Sequence, residues 1–121
     1  MQPTATARLN SFQPFAALLF AAMLFFTAGA AGAQPWTLTV DSENPASGVT
    51  ITVSPTDNNS MADGSTSFVR TYNDATVVSL TAPATAGGNN FLEWQVDGSP
   101  VAGNPIMVTM NAARTATAIY G

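Results

Sequence analysis

Apolar and polar side chains alternate along most of the chain after residue 33. Successive side chains of a strand point to opposite faces of its sheet, so this alternation predicts half-buried β-strands. The clearest case is the segment 49–54, where three branched apolar residues alternate with Thr50, Thr52 and Ser54. Turn-forming Gly, Pro, Asn and Asp residues separate such segments, and no run of ten residues shows a helical period.

Seven segments are candidate strands, namely 36–41, 49–54, 65–72, 76–82, 91–96, 106–110 and 114–120. They predict a single all-β domain, a small antiparallel sandwich or open barrel of about six or seven short strands. Asn73 and Asp74 tolerate left-handed backbone and predict a hairpin between the third and fourth segments. Phe91 and Trp94 are three positions apart, which places them on opposite faces of a regular strand. Either a bulge re-aims one of them, or Trp94 joins Leu92 while Phe91 covers an end of the core.

Residues 1–33 predict a secretory signal peptide. One cation, Arg8, precedes the apolar stretch 15–26, and small residues follow as far as Ala33. Signal peptidases accept small side chains at the cleavage site, so we expect cleavage after Ala33 and a secreted or cell-surface domain over 34–121. An uncleaved anchor is the alternative, because residues 15–33 are uncharged over nearly the ~20 residues that span a bilayer. The short apolar core, with no cationic flank after it, favours cleavage.

The composition of residues 34–121 restricts the available chemistry. Seven acidic residues against two arginines give a side-chain net charge of −5, so we expect no nucleic-acid partner and no contact with an anionic membrane surface. The segment lacks cysteine, histidine and lysine. That excludes disulfides, a lipoprotein anchor, a Ser-His-Asp triad and an ordinary zinc site. Carboxylate chemistry and hard-cation binding remain, and we expect no enzyme activity, no cofactor and no metal.

The two tryptophans are the candidate sugar-stacking platforms. Trp94 lies in the most apolar segment, and a domain this small needs such a side chain in its core, which is the favoured interpretation. Trp36 lies near the start of the domain. We expect it to pack against the first strand, and an exposed ligand contact is the alternative.

Three groups of polar residues are candidate sites. The loop 57–64 holds two acids, Asp57 and Asp63, and is rich in oxygen ligands as calcium loops are, but the EF-hand spacing is absent and a solvated turn is favoured. Glu93 and Asp97 could form a carboxylate pair for glycoside hydrolysis, although the domain is too small to supply a cleft. Arg70 shares strand parity with inward-facing positions, which requires it to lie near an edge or to pair with a carboxylate.

Five segments in order resemble one unit of the bacterial repeat family, also called the divergent InlB B-repeat: GVTITVSP (48–55), FVRTY (68–72), VSLTAPATAGGNNFLEW (78–94), VTMN (108–111) and ATAIY (116–120). The resemblance covers nearly all of the chain after residue 33. It implies a small extracellular β-module, often repeated or attached to secreted enzymes and adhesins, with no common catalytic residues. The family is also described as β-grasp-like with some helix, so that topology is the alternative fold.

Two features of the given sequence depart from the family pattern: it holds a single copy, and it holds no partner domain. Whether this copy acts alone or is a fragment of a larger multi-domain protein is left open. The function expected from these observations is a non-catalytic module with a structural, spacer or adhesion role. A carbohydrate- or protein-binding accessory module is the alternative. The sequence leaves the ligand, the oligomeric state and the strand topology open.

Overall fold

A computed structural model describes residues 34–121, and the expectations about a signal peptide over residues 1–33 lie outside that part of the chain. Residues 34–121 form ten β-strands and no helix. The all-β prediction is therefore confirmed, and the helix of a β-grasp arrangement is not found in this segment. The same residues offer no helix of the length and apolar character that crossing a membrane requires.

In chain order the strands are β1 Pro35–Glu43, β2 Thr50–Ser54, β3 Gly64–Ser65, β4 Phe68–Asn73, β5 Thr76–Thr81, β6 Thr85–Ala86, β7 Asn89–Val96, β8 Ser99–Val101, β9 Ile106–Met110 and β10 Arg114–Tyr120. Seven of them correspond to the seven predicted segments. The other three, β3, β6 and β8, are two or three residues long. A strand that short cannot show a two-residue period, which is why the alternation did not predict it.

The strands form two sheets. The first has four strands in the order β9-β5-β2-β3. The second has six, with β4-β1-β10-β7-β6 in a row and β8 also paired with β7. Within residues 34–121 every pairing is antiparallel except that of β1 with β10, which run parallel from Leu38–Arg114 to Glu43–Ile119. The expected antiparallel arrangement is therefore found throughout these sheets except where the first and last strands pair with each other.

The hydrophobic core is built from the inward-facing positions of both sheets. Most of the long strands alternate buried and more exposed residues, as in β9, where Ile106, Val108 and Met110 are buried between exposed neighbours. The largest side chains with at most 2% of their surface exposed are Trp94, Tyr72, Tyr120, Leu38, Ile51, Leu80 and Met110. The alternation that predicts half-buried strands is thereby confirmed in β1, β2, β5, β9 and β10.

The turn at Asp74 and Ala75 does not close a hairpin, contrary to the sequence-based expectation. β4 belongs to the six-stranded sheet and β5 to the four-stranded sheet, so the chain crosses between them here. The backbone N–H of Asp74 donates to the carbonyl of Gln34 in one sheet, and that of Ala75 donates to the carbonyl of Met110 in the other. A two-residue turn can join two strands that pair with each other or two strands that belong to different sheets. Which of these forms depends on the strands, distant in sequence, with which β4 and β5 pair.

A β-bulge in β7 explains the spacing of Phe91 and Trp94. Ala118 and Ile119 of β10 lie opposite Trp94 and Glu93, but Tyr120 lies opposite Phe91, so Leu92 is skipped. The extra residue restores Phe91 to the side of Trp94, with their ring centroids 6.1 Å apart. The bulge alternative is therefore confirmed, and Leu92 is 60% exposed rather than part of the core.

Candidate functional sites

Trp94 is a core residue with no exposed surface. Its indole Nε1–H donates to the Asn104 side-chain oxygen at 3.1 Å, and its ring packs beside Phe91. The same Asn104 oxygen accepts from the backbone N–H of Ala82, and the Asn104 amide donates to the Ala82 carbonyl. The prediction that Trp94 anchors the core is confirmed, and its ring has no face free for a sugar.

Trp36 packs against one end of the core and is partly exposed. Its Nε1–H donates to a carboxylate oxygen of Asp74 at 2.9 Å, which ties β1 to the turn that crosses between the sheets. Asn73, the residue before Asp74, accepts a hydrogen bond through its side-chain oxygen from the Asn58 side-chain amide at 2.9 Å. The expected packing is found. The exposed part of the indole leaves a contact role open, but its N–H is already paired within the protein.

Asp57 organises the loop that resembled a calcium site. One carboxylate oxygen accepts from the backbone N–H groups of Asn59 and Met61, at 2.8 and 3.0 Å, and the other accepts from Thr71 of β4 at 2.9 Å. Asp57 is only 8% exposed, so the expectation of a solvated turn is wrong at this residue. The short side chain folds the loop back on its own amides, as aspartate often does in turns.

The electrostatics of Asp57 favour the charged carboxylate. Burial is the largest single influence and raises its pKa. The three backbone N–H donors and the Arg70 guanidinium together outweigh burial, so the pKa of Asp57 lies below its ordinary value. Asp63, the second acid of the loop, accepts from the backbone N–H of Val53 at 2.8 Å. Within residues 34–121 no three metal-ligating side chains come together, and both acids of the loop are engaged by backbone.

Arg70 fastens the same loop to strand β4. It is 4% exposed, and its guanidinium donates to the carbonyls of Ala62, Asp63 and Val69 at 2.7, 2.9 and 3.0 Å. The guanidinium carbon also lies 4.4 Å from the centre of the Phe68 ring, within the range of a cation–π contact. β4 is the edge strand of its sheet, as the sequence argument required of a buried arginine. The arrangement is structural, with every contact made inside the domain.

Glu93 and Asp97 are each paired with other residues of the domain. Glu93 accepts from the Gln95 side-chain amide at 2.9 Å. Asp97 forms an ion pair with Arg114 at 2.9 Å and accepts from the backbone N–H of Thr115, and these contacts, the arginine first, lower the pKa of Asp97. Four residue steps along an extended chain span about 13 Å. That backbone span exceeds the separation of about 5–9.5 Å between the paired carboxylates of glycosidases, so the spacing of Glu93 and Asp97 along the strand does not favour such a pair.

A groove beside the β7–β8 hairpin is a feature that the sequence interpretation missed. It has a volume of about 590 Å³ and is lined by residues 91–93 and 100–103, with the exposed Leu92 among them. Two local signals point to it in retrospect. Asp97 and Gly98 adopt positive φ angles of 52° and 85°, as a two-residue hairpin turn requires, so the next three residues return beside β7 as β8. The bulge then turns Leu92 out of the core.

No protein-family model, no curated protein and no solved structure matches this chain. The resemblance to the bacterial repeat family rests on the residues themselves.

Proposed function

We propose that this chain is an exported, non-catalytic β-module of the bacterial-repeat type, with a structural, spacer or adhesion role at or outside the cell surface. The observation that carries the proposal is the parallel pairing of β1 with β10. Because the two strands point the same way, Gln34 enters at one end of the sheet and Gly121 leaves at the other. A partner held at the Gln34 end and another held at the Gly121 end would therefore lie in line, which is the geometry that a spacer needs.

The distribution of aromatic and polar side chains supports a spacer over a ligand-binding surface. The three largest aromatic residues of the core, Trp94, Tyr72 and Tyr120, have at most 2% of their surface exposed. The outward positions instead carry cross-strand threonine pairs, namely Thr52–Thr81, Thr37–Thr71 and Thr39–Thr115. Such pairs stabilise a sheet surface without offering an aromatic platform.

The titratable groups support a non-catalytic role. Burial raises the pKa of Tyr72 to about 12 and also raises the pKa of Tyr120, so neither phenol acts as a base near neutral pH. Asp57 and Asp97 are occupied by hydrogen bonds within the domain. We expect no turnover in esterase, protease and glycosidase assays. Turnover that disappears in Glu93→Gln or Asp97→Asn would contradict this assignment.

Fractionation of the source cells tests the export part of the proposal. The chain should appear outside the cytoplasm with Gln34 as its first residue by N-terminal sequencing. Leu19→Arg, which places a charge in the apolar stretch 15–26, is the matched control and should keep the chain inside the cell. A wild-type chain that stays in the cytoplasm with its first 33 residues attached would overturn the proposal.

The groove at residues 91–93 and 100–103 favours the second candidate, a carbohydrate- or protein-binding accessory module. A glycan array and a screen of extracellular proteins would test it with Leu92→Asn, which makes the groove wall polar. Met107→Asn is the control, because Met107 is 66% exposed but lies on the other sheet. Binding lost only in Leu92→Asn would promote this candidate. Binding that is absent, or unaffected by both changes, would reject the groove.

A further inference from the structure

The position of the β1–β10 pair has a mechanical consequence. Tension applied between Gln34 and Gly121 pulls β1 and β10 in opposite directions along their own axes, because the strands are parallel and neighbouring. The hydrogen bonds of the ladder are then loaded in shear. Six consecutive residue pairs join the strands, and the bonds of a parallel ladder are evenly spaced, so they share the load and fail together.

We propose that the β1–β10 pair is a mechanical clamp, which makes residues 34–121 a load-bearing module. This role rests on the proposed spacer function, since tension reaches a spacer that one partner holds at its Gln34 end and another holds at its Gly121 end.

The surroundings of the pair suit a clamp. β1 and β10 are inner strands of the six-stranded sheet, flanked by β4 and β7, so neither presents a free edge. Their inward side chains Leu38, Val40, Ala116 and Ala118 have no exposed surface. The core excludes water from one face of the β1–β10 ladder, and the neighbouring strands β4 and β7 exclude it from the two outer edges of the pair. Both effects slow the replacement of the ladder's hydrogen bonds by bonds to water.

Both ends of the pair are also fastened, so that tension reaches the ladder directly. At the entry, the Gln34 carbonyl accepts from Asp74, whose carboxylate also holds the indole of Trp36. At the exit, Gly121 and Asn90 exchange two backbone hydrogen bonds, at 3.2 and 3.0 Å. Little chain can be drawn out before β1 and β10 themselves carry the force.

The test is to pull the same fold in two directions with optical tweezers. The chain contains no cysteine, so introduced cysteines are unique attachment points for DNA handles. One version of the full chain carries Gln34→Cys and a cysteine appended after Gly121, which loads the ladder in shear. The matched version carries Glu43→Cys with the same appended cysteine. Glu43 lies opposite Ile119, at the exit end, so this version peels the pair apart one bond at a time.

The expected result is an unfolding force at least about twofold higher in the shear version, because forced unfolding follows the barrier along the pulled direction. Urea unfolding of both versions checks that their equilibrium stabilities agree. Equal forces in the two directions, a lower force in shear, or gradual extension without a cooperative step would overturn the clamp. The pulling measurement does not depend on export. A chain that stays in the cytoplasm would overturn the spacer proposal without changing the measured forces. Equal forces in the two directions would overturn the clamp without changing the result on export.

Discussion

Truncation of Trp94 is the sharpest test of how this small domain is held together. In the folded chain the indole has no exposed surface, packs 6.1 Å from Phe91 and donates its N–H to Asn104. Trp94→Ala removes the ring, its aromatic contact and the hydrogen bond. Removing a large buried aromatic side chain costs about 3–5 kcal/mol of unfolding free energy. An 88-residue domain has about 4–13 kcal/mol in total, at ~0.05–0.15 kcal/mol per residue, so the variant should be close to unfolded or have lost a large share of its stability.

The assay is urea denaturation of the full chain followed by circular dichroism, with the thermal midpoint measured in parallel. Trp94→Phe separates the contributions, because it keeps a buried ring and removes the N–H donor, and it should cost less than Trp94→Ala. Trp36→Ala is the matched control at a partly exposed tryptophan and should also cost less than Trp94→Ala, since less surface is lost from the core. A Trp94→Ala midpoint within a degree of the parent would refute the reasoning and reopen the surface interpretation of Trp94.

Three further measurements test the loop and its neighbours. Asp57→Asn should lower the free energy of unfolding by about 2 kcal/mol at neutral pH, because charge-assisted hydrogen bonds are weakened. The pKa of Asp57 is lowered in the folded state, so its carboxylate stabilises the fold above the unfolded pKa of about 3.9, and this stabilisation is lost as the pH falls through the folded pKa. The unfolding free energies of the parent and the variant should therefore become equal in acid. A Cβ at Gly64 would lie 2.7 Å from the Arg70 guanidinium and 2.8 Å from the Phe68 ring, so Gly64→Ala should cost about 1–3 kcal/mol in urea melts, against less than about 0.5 kcal/mol for the exposed neighbour Ser65→Ala. Chelator should leave the thermal midpoint unchanged, and a clear rise in the midpoint in millimolar calcium would show that the folded domain binds the cation.

Strand positions and faces were predictable because they depend on local alternation. Val49, Ile51 and Val53 lie on one face of a pleat whatever the partner strand is, and all three are buried. The core role of Trp94 was predictable from size alone. The bulge was signalled as one of two alternatives, since a three-residue spacing of Phe91 and Trp94 conflicts with a regular strand.

The candidate sites were less predictable, because they depend on contacts across the fold. Nothing in the segment 57–64 indicates that Asp57 accepts from Thr71 on β4, or that Arg70 returns three hydrogen bonds to carbonyls, two of them in the loop. An oxygen-rich loop therefore resembles a cation site in sequence, although its acids serve the backbone. The groove required both the bulge at Leu92 and the hairpin at Asp97, and neither alone predicts a cavity.

Strand pairing was the least predictable feature, and it decides which function the fold supports. The pairing of Leu38 with Arg114 joins residues separated by most of the domain, so no pattern in the sequence near either residue marks it. Had the chain folded as a meander, with a hairpin at Asp74, no such clamp would follow from its first and last strands. The same alternating residues would then support a compact module but not one that carries load along β1 and β10. The proposal of a load-bearing spacer therefore depends on the parallel pair, and the two pulling directions test that pair directly.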